Sequence, residues 1–442
     1  MNSNLSTSDT DQISFYVKTQ TYLVCLLPLS LIFSIFLADL IIVILFFSFL
    51  ISCLKNNNFL YFNNKYFKFF FAYWIYIVLL SFFSDNFFDS IKSSFTYIRF
   101  LILPLIILYL SDVDKNFLKN FLYSLLIAFF LLIFDGFYEF FFGKNIFGYG
   151  NIEKGRLVSF FKDEYVLGSY LGKLFFLVAS LWFVTFGSKD HRKNLYFVIF
   201  YILSFSIIFL SGDRMPFLLF LLGSIIFLIL SNYNYKLKLA FIFLSIMTII
   251  LTLIIHQPTY DRFIKKTLLD FGSEKGLTEG GQLYKFKLDS GREITFLTQH
   301  INYFIVSYNI FKENPIFGKG NKGFKNNCNK HKIDCCSCSS HPHNIYAQLL
   351  VENGIIGFLF FVAIFLWISY IFLIQILKKI KNDHNNILSN SRLCILICIY
   401  LNLWPFAQTG NLFNNWQSII YFLPVGIFLN DFNVKNNKIK IN

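Results

Sequence analysis

Apolar positions dominate this chain in long blocks. Those at residues 40–54, 67–83, 195–210 and 237–255 each approach the roughly 20 residues that a helix needs to cross the hydrocarbon of a bilayer. Short polar connections separate them. The pattern predicts an all-α, polytopic helical membrane protein with about 12 transmembrane helices. Residues 1–256 hold the first nine spans, residues 257–344 a long extracytoplasmic loop, and residues 345–442 the last three spans and a cytoplasmic tail. Within the loop, "SGREITFLTQHINYFIVSYNIFKENP" places Leu297, Ile301, Phe304, Tyr308 and Phe311 on one helical stripe, opposite Gln299, Asn302 and Ser307. This predicts an amphipathic helix at the outer interface, capped by Ser290 with Glu293, with Arg292 in its first turn and Pro315 at its end. The glycines of "NPIFGKGNKGFKNN" fit a turn, and the polar stretch 272–289 reads as a flexible excursion.

Composition supports the membrane reading. The 442 residues are 56% hydrophobic with 61 Phe and only 14% charged side chains, more apolar surface than one soluble core can hide. The first 20 residues lack a basic cluster and a small-residue cleavage site, so a removable signal peptide is not expected and the first span is retained.

The formal net charge is +14. Basic residues gather at 55–68, "SKDHRKN", Lys236 with Lys238, "KKIKNDHNN" and the tail 435–440. These alternate with acidic or neutral connections at "SDNFFDS", 136–164, "SGDR", 257–343 and "PFAQTGN". Twelve spans with both termini cytoplasmic put every basic loop inside. The positive charge forms no stripe with interleaved aromatics, which speaks against nucleic acid as a partner.

Cys25, Cys53, Cys394 and Cys398 lie in apolar spans, where a thiol behaves as a small hydrophobe. Cys328, Cys335, Cys336 and Cys338 cluster in the outer loop, where one or two disulfides are expected, with pairing not readable from sequence. His331 and His341 nearby admit zinc, but the spacing matches no standard zinc pattern.

Arg99, Asp135, Glu139 and Lys173 sit in or at the ends of apolar spans, where ionised groups are costly and face partners or a polar cavity. They converge on one outward-facing site, or they pair internally, Arg99 or Lys173 with Asp135. Arg156, Arg214 and Arg292 share the same predicted face. Several cations at one cavity suit a ligand with multiple negative charges such as a diphosphate, because guanidinium offers forked donors that match phosphate oxygens. Asp85 with Asp89 is the nearest approach to an aspartate pair for a divalent ion on that face, and it is a weak one. His341 and His343 precede the tenth span on the same side. There they exchange protons near neutral pH or cap the following helix.

"HNIYAQLLVENGIIG" resembles the His-Asn, nine residues, Gly-x-x-Gly signature of the O-antigen ligase and polymerase superfamily. These are lipid-linked oligosaccharide glycosyltransferases of bacterial envelopes. His343, Asn344, Gly354 and Gly357 carry the match. "NPIFGKGNKGF", "GRLVSFFKDEYVLGSYL" and "SGDRMPFLLFL" are similar to the family's stretch ahead of the histidine and to its two earlier arginine segments, so the likeness covers residues 156–357. Phe358 and Leu359 stand where family ligases often have Thr-Gly, which leaves ligase against polymerase open.

The resemblance implies a metal-independent, inverting glycosyltransferase with no cofactor, acting at the periplasmic face of the bacterial inner membrane. Its donor is an undecaprenyl-diphosphate-linked glycan. The acceptor is lipid A-core for an O-antigen ligase, or a lipid-linked repeat for a polymerase. His343, Arg214 and Arg292 are the catalytic candidates. Arg156, Arg99, His341, Asn344 and Lys173 are the substrate-binding ones, and no residue is assigned to a metal. Glu352 orients or polarises a neighbour, or is a solvated helix carboxylate. A transporter or flippase would also have twelve spans with buried charges, but the chain shows no internal repeat.

Overall fold

The computed structural model describes residues 7–150, 153, 155–162, 164–188, 190–265, 267, 284–287, 293–296, 299–331, 338–383 and 387–437. The architecture is helical throughout its core. Among the described residues eight helical stretches are long and apolar enough to cross a membrane, and Arg214–Leu230 and Asn390–Asn402 are shorter apolar helices. The protein is a polytopic membrane protein.

Polar side chains start these helices. Ser34, Asn64, Asn86, Asp190, Asn234, Asn344 and Ser389 each accept a hydrogen bond from a backbone amide of the first turn, satisfying donors that lipid could not. Leu167–Phe186 is the central helix. Leu171, Leu174, Phe175 and Val178 are fully or almost fully enclosed, and Asn390–Asn402 packs along it. The last helix, Asn415–Asn437, packs on Ile98–Val113, where a Cβ added to Gly426 would come within 2.6 Å of Ile107. Tyr235–Ile255 lies at the edge of the bundle, with Leu239, Ile242, Phe243, Ile246 and Ile250 exposed to what would be lipid.

The long loop departs in part from the expected helix. Tyr284–Lys287 and Glu293–Phe296 form an antiparallel hairpin, and the helix begins at Gln299 and ends at Glu313. Glu293 is therefore a strand residue and not part of a capping box; extended pairing with Lys287 takes up the backbone that a first helical turn would have used. Ser290, Arg292 and Leu297 lie outside the described residues, as does most of the stretch 272–289. Gln299–Glu313 carries two apolar faces. Tyr303, Val306 and Ile310 are buried against Phe324, Cys328 and Val351, while Phe304 and Tyr308 from the predicted stripe stay exposed.

The element that positions everything beyond the bundle is Ile345–Ile380, which is broken at Gly354. Gly354 has φ 62° and ψ −166°, a backbone region that is essentially glycine-only. A break frees an acceptor before it and a donor after it, and the loop "NPIFGKG" takes both. Lys319 N–H donates to the Val351 carbonyl at 2.8 Å, and Ile355 N–H donates to the Pro315 carbonyl at 2.9 Å. The fit needs glycine on both sides. A Cβ on Gly354 would stand 2.2 Å from the Ile316 oxygen, and one on Gly318 would stand 2.6 Å from the Gly354 nitrogen. Gly357 has a different task, since a Cβ there would meet Asn353 Cβ at 2.3 Å. Asn353 is in turn held by the hydroxyls of Tyr73, which donates to its side-chain oxygen at 3.2 Å, and Tyr76, which donates to its carbonyl at 2.7 Å. The spacing His-Asn, nine residues, Gly-x-x-Gly thus describes a capped half-helix, its break, and the room for its last side chain.

Gly354→Ala should lower stability by on the order of 1–3 kcal/mol from the backbone conformation alone, with the clash added. Gly410→Ala, whose Cβ would meet nothing closer than 3.5 Å, should change it little. Thermal unfolding of the two variants in the same detergent checks this, and equal midpoints would show that the break is not conformationally demanding.

Candidate functional site

The His-Asn turn sits at the start of the broken helix and is strapped to the loop between the last two helices. His343 adopts φ 55°, a left-handed conformation that histidine tolerates better than most residues. Its carbonyl accepts from Thr409 N–H at 2.9 Å. Asn344 accepts from Ala347 N–H at 3.0 Å as helix cap and donates to the carbonyls of Pro405 at 2.7 Å and Ala407 at 3.2 Å. The His343 ring lies 5.2 Å from the Tyr303 ring and 4.2 Å from the His341 ring, with Nε2 3.2 Å from the Ser339 hydroxyl. Burial pulls the His341 imidazole below its ordinary value, partly offset by the Thr409 backbone. Cys328 and Cys338 form a disulfide that ties the helix Gly323–His331 to the segment leading into the histidines. Those two sulfurs are therefore not thiolate ligands. Cys335 and Cys336 lie outside the described residues.

Two spaces open from this turn. One is a polar cavity of about 380 Å³ bounded by Lys322, Lys325, His341, Glu352, Asn411 and Asn415. Glu352 is fully buried, not a solvated carboxylate, and accepts from Gln348 Nε2 at 2.9 Å. Gln348 also donates to Asn411 and accepts from Leu412 N–H, so the carboxylate is fixed to the 405–412 loop. The other space is an apolar groove of about 700 Å³ between Gln299–Glu313 and the broken helix, walled by Phe304, Tyr308, Tyr346, Leu350 and Phe358 with Asn344 at its edge. Phe304, Tyr308 and Phe311 of the predicted amphipathic stripe line this groove.

Arg156, Arg214 and Arg262 do not line either space and have partners of their own. Arg156 donates to Asp213 at 2.6 Å and to Glu153 at 3.3 Å, and its guanidinium lies 3.6 Å from the centre of the Tyr165 ring. Arg262 donates to Glu153 at 2.7 Å and to the Gly212 carbonyl. Arg214 heads the next helix and donates to the Thr267 hydroxyl at 3.1 Å. Burial raises the Asp213 carboxyl to about 6 against the pull of Arg156 and Arg262, whereas at the more exposed Glu153 the two arginines outweigh burial and hold the carboxyl below its ordinary range.

The charges in apolar spans do not pair as the sequence reading offered. Arg99 bridges to Asp39 at 3.0 Å and donates to Asn415, at the edge of the polar cavity. Lys173 has its ammonium 5.3 Å from the Tyr421 ring centre and 6.0 Å from that of Trp416. Asp135 accepts from the Ser159 hydroxyl and Ile146 N–H, and Glu139 from the amides of Val158 and Ser159. The two carboxylates thus neither neutralise Arg99 or Lys173 nor face a shared site. They anchor the backbone of the following loop, whose buried amides need acceptors.

The structure therefore brings His341, His343 and Asn344 together, sets Arg99 at the cavity edge and joins Arg156 to Arg214 through neighbouring Asp213. Lys173 lies behind Trp416, and Arg292 is outside the described residues. Lys322, Lys325 and Arg262 went unselected in the sequence. Arg262 was findable as a cation just past the ninth span. The lysines were hidden among many basic residues of the loop.

The sequence is similar to known proteins over part of the chain. A model of the O-antigen ligase family matches residues 199–362, the stretch that contains "SGDRMPF", "NPIFGKG" and "HNIYAQLLVENGIIG". The resemblance to the O-antigen ligase superfamily is borne out over that segment. An uncharacterized protein of Haemophilus influenzae is 27% identical over 264 residues, 58% of this chain and 61% of that protein. The match thus spans less than two thirds of that relative's length.

Arg156→Gln should destabilise the protein by about 3–5 kcal/mol, because it strands the buried Asp213. The deficit should be largest at alkaline pH and shrink as the pH falls toward 6, since without the pull of Arg156 the Asp213 carboxyl protonates above its wild-type value of about 6. Thermal unfolding against pH, with Asp213→Asn as a partial rescue, is the measurement. An Arg156→Gln protein as stable as wild type at pH 8 would mean that the pair is not structural.

Proposed function

We propose that this protein is a glycosyltransferase of polysaccharide assembly that moves a glycan from an undecaprenyl-diphosphate carrier to an acceptor hydroxyl, most simply in O-antigen ligation to lipid A-core. The observation that carries the reading is a lipid-sized apolar groove with Asn344 on its wall and a polar cavity with His341 on its wall, so that the two spaces lie within three residues of each other along the chain, on either side of His343. A lipid-linked sugar is apolar at one end and polar at the other, and it needs that junction. Tyr346, Ala347 and Leu350 line the groove while Glu352 lines the cavity, so one short half-helix separates the two environments.

In this reading the polyprenyl chain occupies the groove and the diphosphate meets Arg214 and Arg292. Arg156 and Arg99 support the charge, and Lys173, His341 and Asn344 complete the substrate site. The acceptor oxygen attacks the anomeric carbon from the face opposite the leaving group, and the bond from that carbon to the diphosphate oxygen breaks with inversion. His343 takes the hydroxyl proton, while guanidinium donors stabilise the charge on the departing diphosphate. The chain's own cations supply this countercharge, so the proposed reaction uses no metal ion and no nucleotide sugar. Both termini are cytoplasmic, the site faces the periplasm, and the membrane is the bacterial inner membrane.

Polymerisation onto a lipid-linked repeat uses the same chemistry. A deletion strain separates the two: long lipid-linked polymer accumulates if ligation is lost, and a single lipid-linked repeat if polymerisation is lost. The transporter reading draws on the broken helix, since transporters use such breaks to bind ions. Here Lys319 and Pro315 already occupy the freed backbone groups.

His343→Ala should reduce turnover by on the order of 10² to 10⁴ while donor binding persists, and His341→Ala should reduce it less. Single-turnover transfer by purified protein measures this; normal turnover by His343→Ala would remove the base from the mechanism. For orientation, single cysteines placed in "KKIKNDHNN" should resist an impermeant thiol reagent added to intact spheroplasts. Labelling there from outside would invert the topology and move the site to the wrong side.

A further inference from the structure

The diphosphate chemistry just described leaves the lysines of the polar cavity unused. The cavity's cations are lysines, and neither Arg214 nor its partner Thr267 lines it, while Arg99 reaches only its edge through Asn415. Its volume of about 380 Å³ falls in the roughly 300–1,000 Å³ range of small-molecule sites. Two buried polar atoms on its wall, Glu352 Oε1 and His341 Nε2, make no hydrogen bond among the described residues. The backbone of Lys322 and Phe324 faces Glu352 and that of Thr409 faces His341, so the geometry leaves these two atoms loosely held and able to take a further partner from the cavity. Backbone strain points the same way. Lys322 holds φ 67°, where glycine would be unstrained, directly beside Gly323. A lysine kept in a left-handed conformation at a cavity wall fits a side chain held for what it contacts.

We propose that this cavity binds one sugar residue of the acceptor glycan, and that the residue bears an anionic substituent such as a phosphate or carboxylate. The inference rests on the glycosyl-transfer reading above and adds the acceptor's chemical class. Lys322 and Lys325 supply point charges for the anion, where the diphosphate requires forks. The amides of Asn411 and Asn415 offer donors and acceptors to ring hydroxyls. Glu352 Oε1 accepts a hydroxyl proton, and the ring of Phe413, also on the wall, gives the apolar face of a sugar a surface to rest on. The bound residue lies against His341, one turn of backbone from His343.

The test is calorimetry on the full protein in nanodiscs with four probes: mannose 6-phosphate, mannose, inorganic phosphate and undecaprenyl diphosphate. Mannose 6-phosphate should bind at least tenfold more tightly than either mannose or phosphate. Lys322→Gln combined with Lys325→Ala should erase that tenfold advantage while mannose binding is unchanged. Should the double variant not fold, hydrogen exchange on wild type replaces it, with mannose 6-phosphate expected to protect residues 322–325. No binding of mannose 6-phosphate, binding no tighter than phosphate or mannose, undiminished binding in the double variant, or no protection would each overturn the inference. Undecaprenyl diphosphate keeps the two readings distinguishable. A wild type that binds it but not mannose 6-phosphate loses only the acceptor inference, and one that binds only mannose 6-phosphate loses the donor reading.

Discussion

A helix broken inside a packed membrane protein exposes a buried backbone donor and acceptor, at a cost of several kcal/mol for each group left unsatisfied. At Gly354 that deficit is closed from outside the helix, by Lys319 N–H on the Val351 carbonyl and by the Pro315 carbonyl on Ile355 N–H. Both partners come from one loop, so the break can form only when the loop is docked, and the loop can dock only where two glycines leave room for it. The first half of the helix becomes a short rigid piece with its own cap at Asn344 and its own end at Asn353. Lys319 extends the same dependence to the amphipathic helix, because its ammonium lies 2.8 Å from Glu313 at that helix's last turn.

Buried charge elsewhere in the molecule follows the same rule of local satisfaction. Asp135 and Glu139 spend their oxygens on the amides and hydroxyl of the loop that follows them, which lets that loop enter the protein without orphaned donors. Arg156 and Arg262 share Glu153, and Arg156 also bridges to Asp213, giving a chain of alternating charges beside Arg214. Such a chain fixes positions more than it adds stability, since desolvation offsets much of the attraction. Its effect on Arg214 is to anchor the turn from which that side chain leaves. The positive face inferred from sequence is thus a partly neutralised scaffold.

What the sequence showed depended on whether the signal was periodic or relational. Apolar block length and the loop-by-loop placement of Lys and Arg made the helical membrane architecture readable, because hydrocarbon thickness sets a length that composition reports directly. The His-Asn and Gly-x-x-Gly motifs were readable as a likeness, but their physical content was not. Gly354 and Gly357 look equivalent in the chain, yet one is a break and the other a space for Asn353. The helix expected from Ser290 began at Gln299, because capping-box spacing is local and strand pairing with residues 284–287 overrides it. Glu352 could not be placed, since whether a helix carboxylate is solvated depends on what packs over it, here the 322–325 segment and the 405–412 loop. The partners of Arg99 and Asp135 were misjudged for the same reason: sequence gives the depth of a charge and not its neighbours.

The half-helix Ile345–Asn353 explains why these features occur together. Its groove side, with Tyr346, Ala347 and Leu350, is apolar, and its other side, with Gln348 and Glu352, is hydrogen-bonded and polar. In the proposed transfer, one rigid element between the two reactants would convert a bimolecular encounter in two different solvents into a single fixed geometry, an effect that can be worth roughly 7–11 kcal/mol of barrier when alignment is good. Rigidity is therefore the requirement, and each contact of the half-helix serves it. Asn344 fastens its start to the carbonyls of Pro405 and Ala407, Tyr73 and Tyr76 hold its end, and Gln348 fixes its middle to Asn411. An unbroken helix would have to follow the tilt of the whole span. The glycine break releases these nine residues from that constraint, so that the loops and not the membrane decide where His343 points.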